Sequence, residues 1–302
     1  MLDIVIIGAG PAGMTAAIYG RRKGLSLAVI SDSAGGQMRR SANIENYPGF
    51  DAITGSELAD KMKEQLKHLD LEITTDRVNN VEKITGGFAS KTEGGKRFES
   101  RSVIVAAGAH WRELEVQGEK EYLNKGISFC STCDGPLYAG MDVAVVGGGN
   151  CAAESVIDLI RIANKVYMIV RHQLKADKMI TDQIRSNPKV TVFENHTVSL
   201  INGKDFVESI EIKSKSGETK TLAVGGVFVE IGHDPNTTFI KNLVRINNHG
   251  EIIIDGLCNT NVPGIFACGD ITDVPQKQAI VAAGEGAKAA MSAYTYLTRT
   301  KK

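Results

Sequence analysis

The hydrophobic and polar positions of this chain repeat one arrangement twice. Residues 2–7 form a mostly apolar run, interrupted only by Asp3, followed by Gly8-Ala9-Gly10-Pro11-Ala12-Gly13, a helical pattern over 14–23 and a second mostly apolar run over 25–30. Residues 142–146 lead in the same order into Gly147-Gly148-Gly149-Asn150-Cys151-Ala152, a helical pattern over 154–162 and the run 166–170. Each predicts strand, glycine turn, helix and strand, the register of a βαβ unit. Between them, Leu58, Met62, Leu66 and Leu69 recur at helical spacing and read as the core stripe of a helix over 55–69. Short alternating segments from Ile73 to Phe98 predict strands, and 103–108 returns to a buried-strand run. A further set of strands is expected at 190–193, 198–201, 207–212 and 227–231, with others at 252–254 and 265–267 and one long Ala- and Gly-rich helix over 278–297.

The length of 302 residues suits about two domains of ordinary size. With 35 Lys and Arg against 35 Asp and Glu, the chain offers no excess charge for a polyanion, so nucleic acid is not an expected ligand. No apolar run approaches the roughly 18 residues of a membrane span, and the N-terminal run has neither a basic leader nor a small-residue cleavage pattern. It reads as a first strand, and the expected location is cytoplasmic. The 32 glycines are about a tenth of the chain, above the usual roughly 7%, and the excess clusters at strand ends, where backbone must approach a ligand.

In such a turn the first glycine makes the bend, the second lets backbone approach a pyrophosphate and the third lets helix pack on strand, a job Ala152 can also do. The helix N-terminus adds partial positive charge. Two copies in the required context predict two dinucleotide sites. The end of the second strand meets the adenosine ribose, and Ser31-Asp32 and Val170-Arg171 stand at the same 21-residue step from Gly10 and Gly149. Asp32 can accept from ribose hydroxyls, whereas Arg171 and His172 can pair with a 2′-phosphate. Solvated loop residues are the competing reading of both.

Cys130-Ser131-Thr132-Cys133 holds two thiols three residues apart, a spacing at which a disulfide closes and reopens with little rearrangement. Asp134 follows, and a carboxyl there could carry a proton between leaving thiolate and solvent. Zinc would need two further ligands nearby, and Cys151, Cys258 and Cys268 are dispersed, so no metal is expected. Cys151 is expected as a packing residue in the glycine turn, and Cys268 as buried.

These motifs, with Gly35-Gly36-Gln37, Glu45-Asn46-Tyr47-Pro48-Gly49, Gly232-His233-Asp234-Pro235-Asn236-Thr237 and the segment from Thr260 to Gly269-Asp270, resemble the low-molecular-weight thioredoxin reductase family along essentially the whole chain. The resemblance implies an α/β fold of two Rossmann-like dinucleotide-binding domains of three-layer ββα type, the second inserted into the first. It assigns 1–112 with 240–302 to FAD and 113–239, carrying the redox pair, to NAD(P). It implies FAD contacts from Gly8, Ala9, Gly10, Pro11, Ala12, Gly13, Ser31, Asp32, Gly35, Gly36, Gln37, Asn46, Val81 and Asp270, and from Lys277-Gln278-Ala279 at a helix start. It implies nicotinamide-cofactor contacts from Gly147, Gly149, Asn150, Arg171 and His172. By the same carry-over Cys133 is the thiol beside the flavin, Cys130 the outer thiol that attacks the substrate disulfide, and Asp134 the acid. The family is homodimeric, and the expected partner is thioredoxin or a thioredoxin-like protein.

One departure bears on the electron donor. NADPH-dependent members carry His-Arg-Arg-x-x-x-Arg after the second strand, where this chain reads Val170-Arg171-His172-Gln173-Leu174-Lys175-Ala176 with a single arginine. Its C-terminal half also resembles the NADH-preferring flavoprotein of alkyl hydroperoxide reductase, which carries an extra thioredoxin-like module ahead of the FAD strand. Here the FAD strand comes first, so a separate carrier is the expected substrate, with NADPH or NADH as donor. Alternatives are a disulfide reductase fed by ferredoxin or a deazaflavin, and a flavin-binding or nicotinamide-sensing protein with a structural cysteine pair.

Overall fold

A computed structural model describes residues 1–300, which fall into two compact units, Met1–His110 with residues 234–300, and Trp111–His233. The first unit runs β1 (Leu2–Ala9), α1 (Pro11–Arg22), β2 (Leu27–Ala34), a 3₁₀ turn (Gly36–Arg40), α2 (Gly55–Lys67), β3 (Ile73–Thr75), β4 (Val78–Ile84), β5 (Gly87–Thr92), β6 (Arg97–Val105) and β7 (Ala109–Trp111). The second contains β8 (Ile127–Ser128), α3 (Ser131–Asp134), β9 (Asp142–Val146), α4 (Asn150–Leu159), β10 (Lys165–Val170), α5 (Lys178–Ser186), β11 (Val190–Glu194), β12 (His196–Gly203), β13 (Val207–Ser214), β14 (Thr219–Ala223), β15 (Gly226–Val229) and the start of β16 (His233–Pro235). β17 (Ile265–Ala267) and α6 (Ala279–Arg299) complete the first unit.

Both units follow one plan. In the first, β3, β2, β1, β6 and β17 pair in parallel, and the N-terminal half of β6 also pairs antiparallel with β5 and, through it, β4. In the second, β11, β10, β9, β15 and β8 form the parallel sheet, and β12, β13 and β14 form an antiparallel sheet. Side chains alternate across each central strand. Ile4 and Ile6 of β1 face α1, α2 and α6, whereas Val5 and Ile7 face Val78, Val81 and Phe88 of the antiparallel layer. Val143 and Val145 of β9 face α4 and α5, and Ala144 and Val146 face Val198, Ile210 and Leu222. Each parallel sheet is thus buried on both faces at its centre, which is why its central strands read as largely apolar runs. A fully buried Ile or Leu contributes about 1.5–3 kcal/mol, so these two cores hold the glycine turns at the strand ends rigidly.

The second crossing between units comes at 233/234 rather than the expected 239/240. Asn236 already belongs to the first unit, donating its backbone N–H to Gly108 and its side-chain amide to Ala107. Residues 252–254 form no strand; Ile252 makes single bridges to Ile246 and Thr272. Several elements lie outside the sequence reading: α5 and β14, both short and mostly solvent-facing, and the brief β7, β8, α3 and β16 of two to four residues each.

Candidate functional site

At the end of β1 the backbone turns through Gly8, with φ +105° and space for no side chain: a Cβ would stand 2.2 Å from the Ala106 carbonyl oxygen. A Cβ on Gly13 would stand 1.9 Å from the Gly8 carbonyl oxygen, so α1 seats on the turn only because that position is bare. Gly10 between them is different. Its backbone is extended, and a Cβ there would meet nothing within 4 Å. Gly10 caps α1 without a side-chain hydrogen bond, and Pro11 stands at the helix start. α2, by contrast, is closed by a full capping box between Thr54 and Glu57.

Further sequence-predicted residues converge on this helix start. Ala9 accepts the Gly35 N–H at 2.7 Å, and Gly36 lies so near that its Cβ would be 3.4 Å from the Gly10 α-carbon. Gly269, beside Asp270, would place a Cβ 3.0 Å from that of Ala12. The Glu285 carboxylate on α6 accepts the Gly269 N–H at 2.8 Å, a bracing contact with no sequence signal. Burial pushes that carboxyl up, partly countered by the N–H it accepts.

Asn46 donates its amide to Gln278 at 3.3 Å, and Gln278 stands at the N-cap of α6, whose first residue is Ala279. Gln37 donates to the Ala109 carbonyl. Lys277 is held by Glu251 at 2.8 Å and by the Thr272 carbonyl. Val81 is a buried core residue of β4, its N–H bonded to the Phe239 carbonyl. Ser31 turns its hydroxyl onto the Ser33 carbonyl. Asp32 is engaged by Arg77 at 2.7 and 3.2 Å, and that pairing holds its carboxyl below the usual range. Arg77 is 45 residues away and was not legible beside Asp32.

The second turn repeats these features. Gly147 at φ +153° would drive a Cβ to 2.3 Å from the Glu230 carbonyl oxygen, while Gly149 is extended, open on its Cβ side and caps α4 without a side chain. Asn150 accepts the Asp177 N–H at 3.0 Å. Arg171 and His172 are exposed beyond β10. The loop after them folds back over the turn, with the Lys175 N–H on the Gly148 carbonyl at 2.8 Å. Glu194 on β11, in register with Val170, accepts the Leu174 N–H at 2.9 Å and Arg185 at 2.7 Å. An acid thus stands beside the end of β10, on the neighbouring strand.

A dinucleotide fits both turns on this geometry. Each offers open backbone at one glycine, beside a first glycine whose backbone surroundings admit no side chain, and uncapped helix N–H groups that suit phosphate oxygens.

Within the second unit Cys130 and Cys133 form a disulfide, with α-carbons 5.3 Å apart. Cys130 is half-buried and caps α3, its sulfur accepting the Cys133 N–H at 3.1 Å, and Cys133 is exposed. Ser128 accepts the Cys130 N–H and donates to Asp134 at 2.6 Å. Burial raises the Asp134 carboxyl, the Ser128 bond only partly opposing it, and burial with Asp134 nearby pushes Tyr138 up to about 12. Cys258 and Cys268 are buried, with Cys258 pushed up to about 11 by burial. Cys151, expected to pack, is exposed, because the first turn of α4 points that position away from the sheet while Ala152 and Ala153 take the inner face.

Residues 2–286 match the family described as pyridine nucleotide-disulphide oxidoreductase. The chain is 41% identical to a thioredoxin reductase from Streptococcus pyogenes, covering 99% of both chains with a TM-score of 0.94, and 34% identical to thioredoxin reductase from Giardia duodenalis, covering 98% of this chain and 99% of that one with a TM-score of 0.93. It is also 42% identical over 300 residues to the F component of alkyl hydroperoxide reductase from Staphylococcus aureus, spanning 98% of this chain and 59% of that protein's length. No helix among the described residues is long and apolar enough to cross a membrane. Two glycine turns on two parallel sheets, a disulfide at the second and a match along almost the whole chain make this a member of the pyridine nucleotide-disulphide oxidoreductase family.

Proposed function

We propose that the chain is a disulfide reductase of thioredoxin reductase type, passing electrons from NADPH or NADH through FAD and the Cys130/Cys133 pair to the disulfide of thioredoxin or a thioredoxin-like protein. The observation that carries this reading is the closed Cys130–Cys133 disulfide beside a carboxyl raised by burial. FAD would be held at the α1 turn by Gly8 to Gly13, Gly35, Gly36 and Asp270, with Asn46 and Lys277 to Ala279 at the start of α6, and it supplies the two-electron carrier between nicotinamide and disulfide. The nicotinamide cofactor would be held at the α4 turn by Gly147, Gly149 and Asn150, with Arg171 and His172 at its adenosine end.

Once the pair is reduced, the Cys130 thiolate attacks one sulfur of the carrier disulfide and releases the other as thiolate. Cys133 then attacks the Cys130 sulfur of the mixed disulfide, which frees the second carrier thiol and restores the Cys130–Cys133 bond. Asp134, kept protonated to higher pH by burial, donates a proton to a leaving thiolate and recovers it from solvent. A homodimer in the cytoplasm is the expected setting.

The second reading, a disulfide reductase fed by ferredoxin or a deazaflavin, draws on the loop after β10. It holds one arginine, and the nearby Arg185 is already paired with Glu194. Anaerobic titration with NADPH and NADH, following flavin absorbance, separates the two. Replacing Cys130 or Cys133 with Ser is expected to abolish thioredoxin reduction with FAD still bound, and full turnover in either variant would refute the relay.

A further inference from the structure

Ser131, between the two redox cysteines, is buried and tied to the rest of its unit by an unusual route. Its hydroxyl donates to Ser155 on α4 at 3.0 Å, and Ser155 donates to the Glu230 carboxylate just after β15 at 2.8 Å. The same carboxyl accepts the Ser131 backbone N–H. Glu230 therefore grips Ser131 twice, once at the main chain and once through the Ser155 hydroxyl. The contacts of Asp134 with Ser128 do not involve it.

We propose that Glu230 is a positioning residue for the redox pair, holding the Cys130–Cys133 segment through Ser131 and Ser155, and that its charge state governs how readily the reduced pair forms a thiolate. This rests on the disulfide-reductase reading and adds to it a residue that the cysteine motif does not contain.

The groups around the carboxyl give the sign. Burial acts first and raises it, the Ser155 and Ser131 hydrogen bonds lower it, and Asp158 and Glu154 of α4 raise it, leaving it at about 7. Tyr138 packs on Phe228 of β15, and the Arg112 guanidinium lies beside Gly232, two residues further on. Below that pH Glu230 is neutral, and its bond to Ser131 places no charge near the cysteines. Above it a carboxylate accepts the backbone N–H of Ser131, the residue next to Cys130, so a thiolate at Cys130 forms in the field of a like charge and less readily. The two ionisations oppose each other.

The test uses the full chain after reduction by dithiothreitol and needs neither thioredoxin nor a nicotinamide donor. The rate of iodoacetamide alkylation at Cys130, located by tandem mass spectrometry, is followed from pH 5.5 to 9.5. The unmodified protein is expected to show an inflection near 7 below the main thiol titration. Glu230→Gln keeps the acceptor oxygen but cannot ionise, and is expected to lose that inflection and to lower the apparent thiol pKa by about half a unit to one unit, about three- to tenfold in thiolate at a pH below it. Superimposable profiles would overturn the proposal. Ser155→Ala provides an independent arm if the first variant does not fold: without the Ser155 hydroxyl the Glu230 carboxyl loses a stabilising donor, and the inflection is expected to move to higher pH. An unmoved inflection would also overturn it. Failure of the reductase reading is seen separately, as thioredoxin turnover that survives loss of Cys130 or Cys133.

Discussion

Two glycines three residues apart in the first turn are expected to respond to alanine in opposite ways. At Gly10 the backbone is extended at φ −78° and ψ −172°, which any residue adopts, and a Cβ meets nothing within 4 Å. Replacing a helix-capping glycine with alanine costs about 0.5–1 kcal/mol, and reduced freedom of the unfolded chain returns about 0.4–1 kcal/mol, so Gly10→Ala leaves apoprotein stability within about 1 kcal/mol. The same methyl, however, occupies the open backbone where a pyrophosphate would lie. Displacing the phosphates forfeits one or two charge-assisted hydrogen bonds of about 1.5–3 kcal/mol each, hence from about tenfold to somewhat over ten-thousandfold in FAD affinity. At Gly13 the added carbon lands 1.9 Å from the Gly8 carbonyl oxygen, a backbone atom that cannot step aside without moving α1 or β1. Gly13→Ala is expected to lower stability by about 1–3 kcal/mol or more even without cofactor. Urea unfolding of apoprotein and flavin-fluorescence titration separate the outcomes. Normal FAD affinity in Gly10→Ala would refute the assignment of this turn to the cofactor, and an unaltered urea midpoint in Gly13→Ala would refute the close-packing argument.

Glu230 has its folded pKa raised to about 7 from an ordinary 4.5, so the protein is most favoured below the unfolded value and loses stability as pH rises through 7; up to about 3 kcal/mol is at stake. Glu230→Gln should therefore match the unmodified protein in thermal unfolding near pH 4.5 and exceed it at pH 8, and a constant difference across that range would contradict the assignment. Thr54→Ala removes the capping box of α2 and is expected to cost about 1 kcal/mol in urea unfolding, without altering FAD affinity. With Arg171 the single arginine beside His172 and Lys175 after the second strand of that turn, the ratio of kcat/KM for NADPH over NADH should be small, and His172→Arg should raise it by about tenfold or more through one added charge-assisted contact. Strong NADPH selectivity in the unmodified protein would argue against that reading.

Much of the architecture was legible in the order of residues. The two strand–glycine–helix–strand units are written locally, because a strand buried on both faces must be apolar throughout and a helix start approached by phosphate must be bare. The Cys130–Cys133 spacing is likewise short-range, closing within one turn of backbone. The amphipathic spacing of Leu58, Met62 and Leu66 placed α2 within two residues of its observed end. What the sequence by itself determined, then, is most of the longer strands and helices, where the two nucleotide-type turns lie and which thiols can pair. Only the tertiary structure decided what surrounds those groups. Arg77 reaches Asp32 across 45 residues, Glu230 reaches Ser155 across 75, and Glu194 reaches Leu174 across 20 from a neighbouring strand. The physical reason is that a hydrogen bond or ion pair depends on distance in space, and strand order sets that distance. In parallel sheets ordered β3-β2-β1-β6 and β11-β10-β9-β15, crossover connections bring together strand ends that are far apart along the chain.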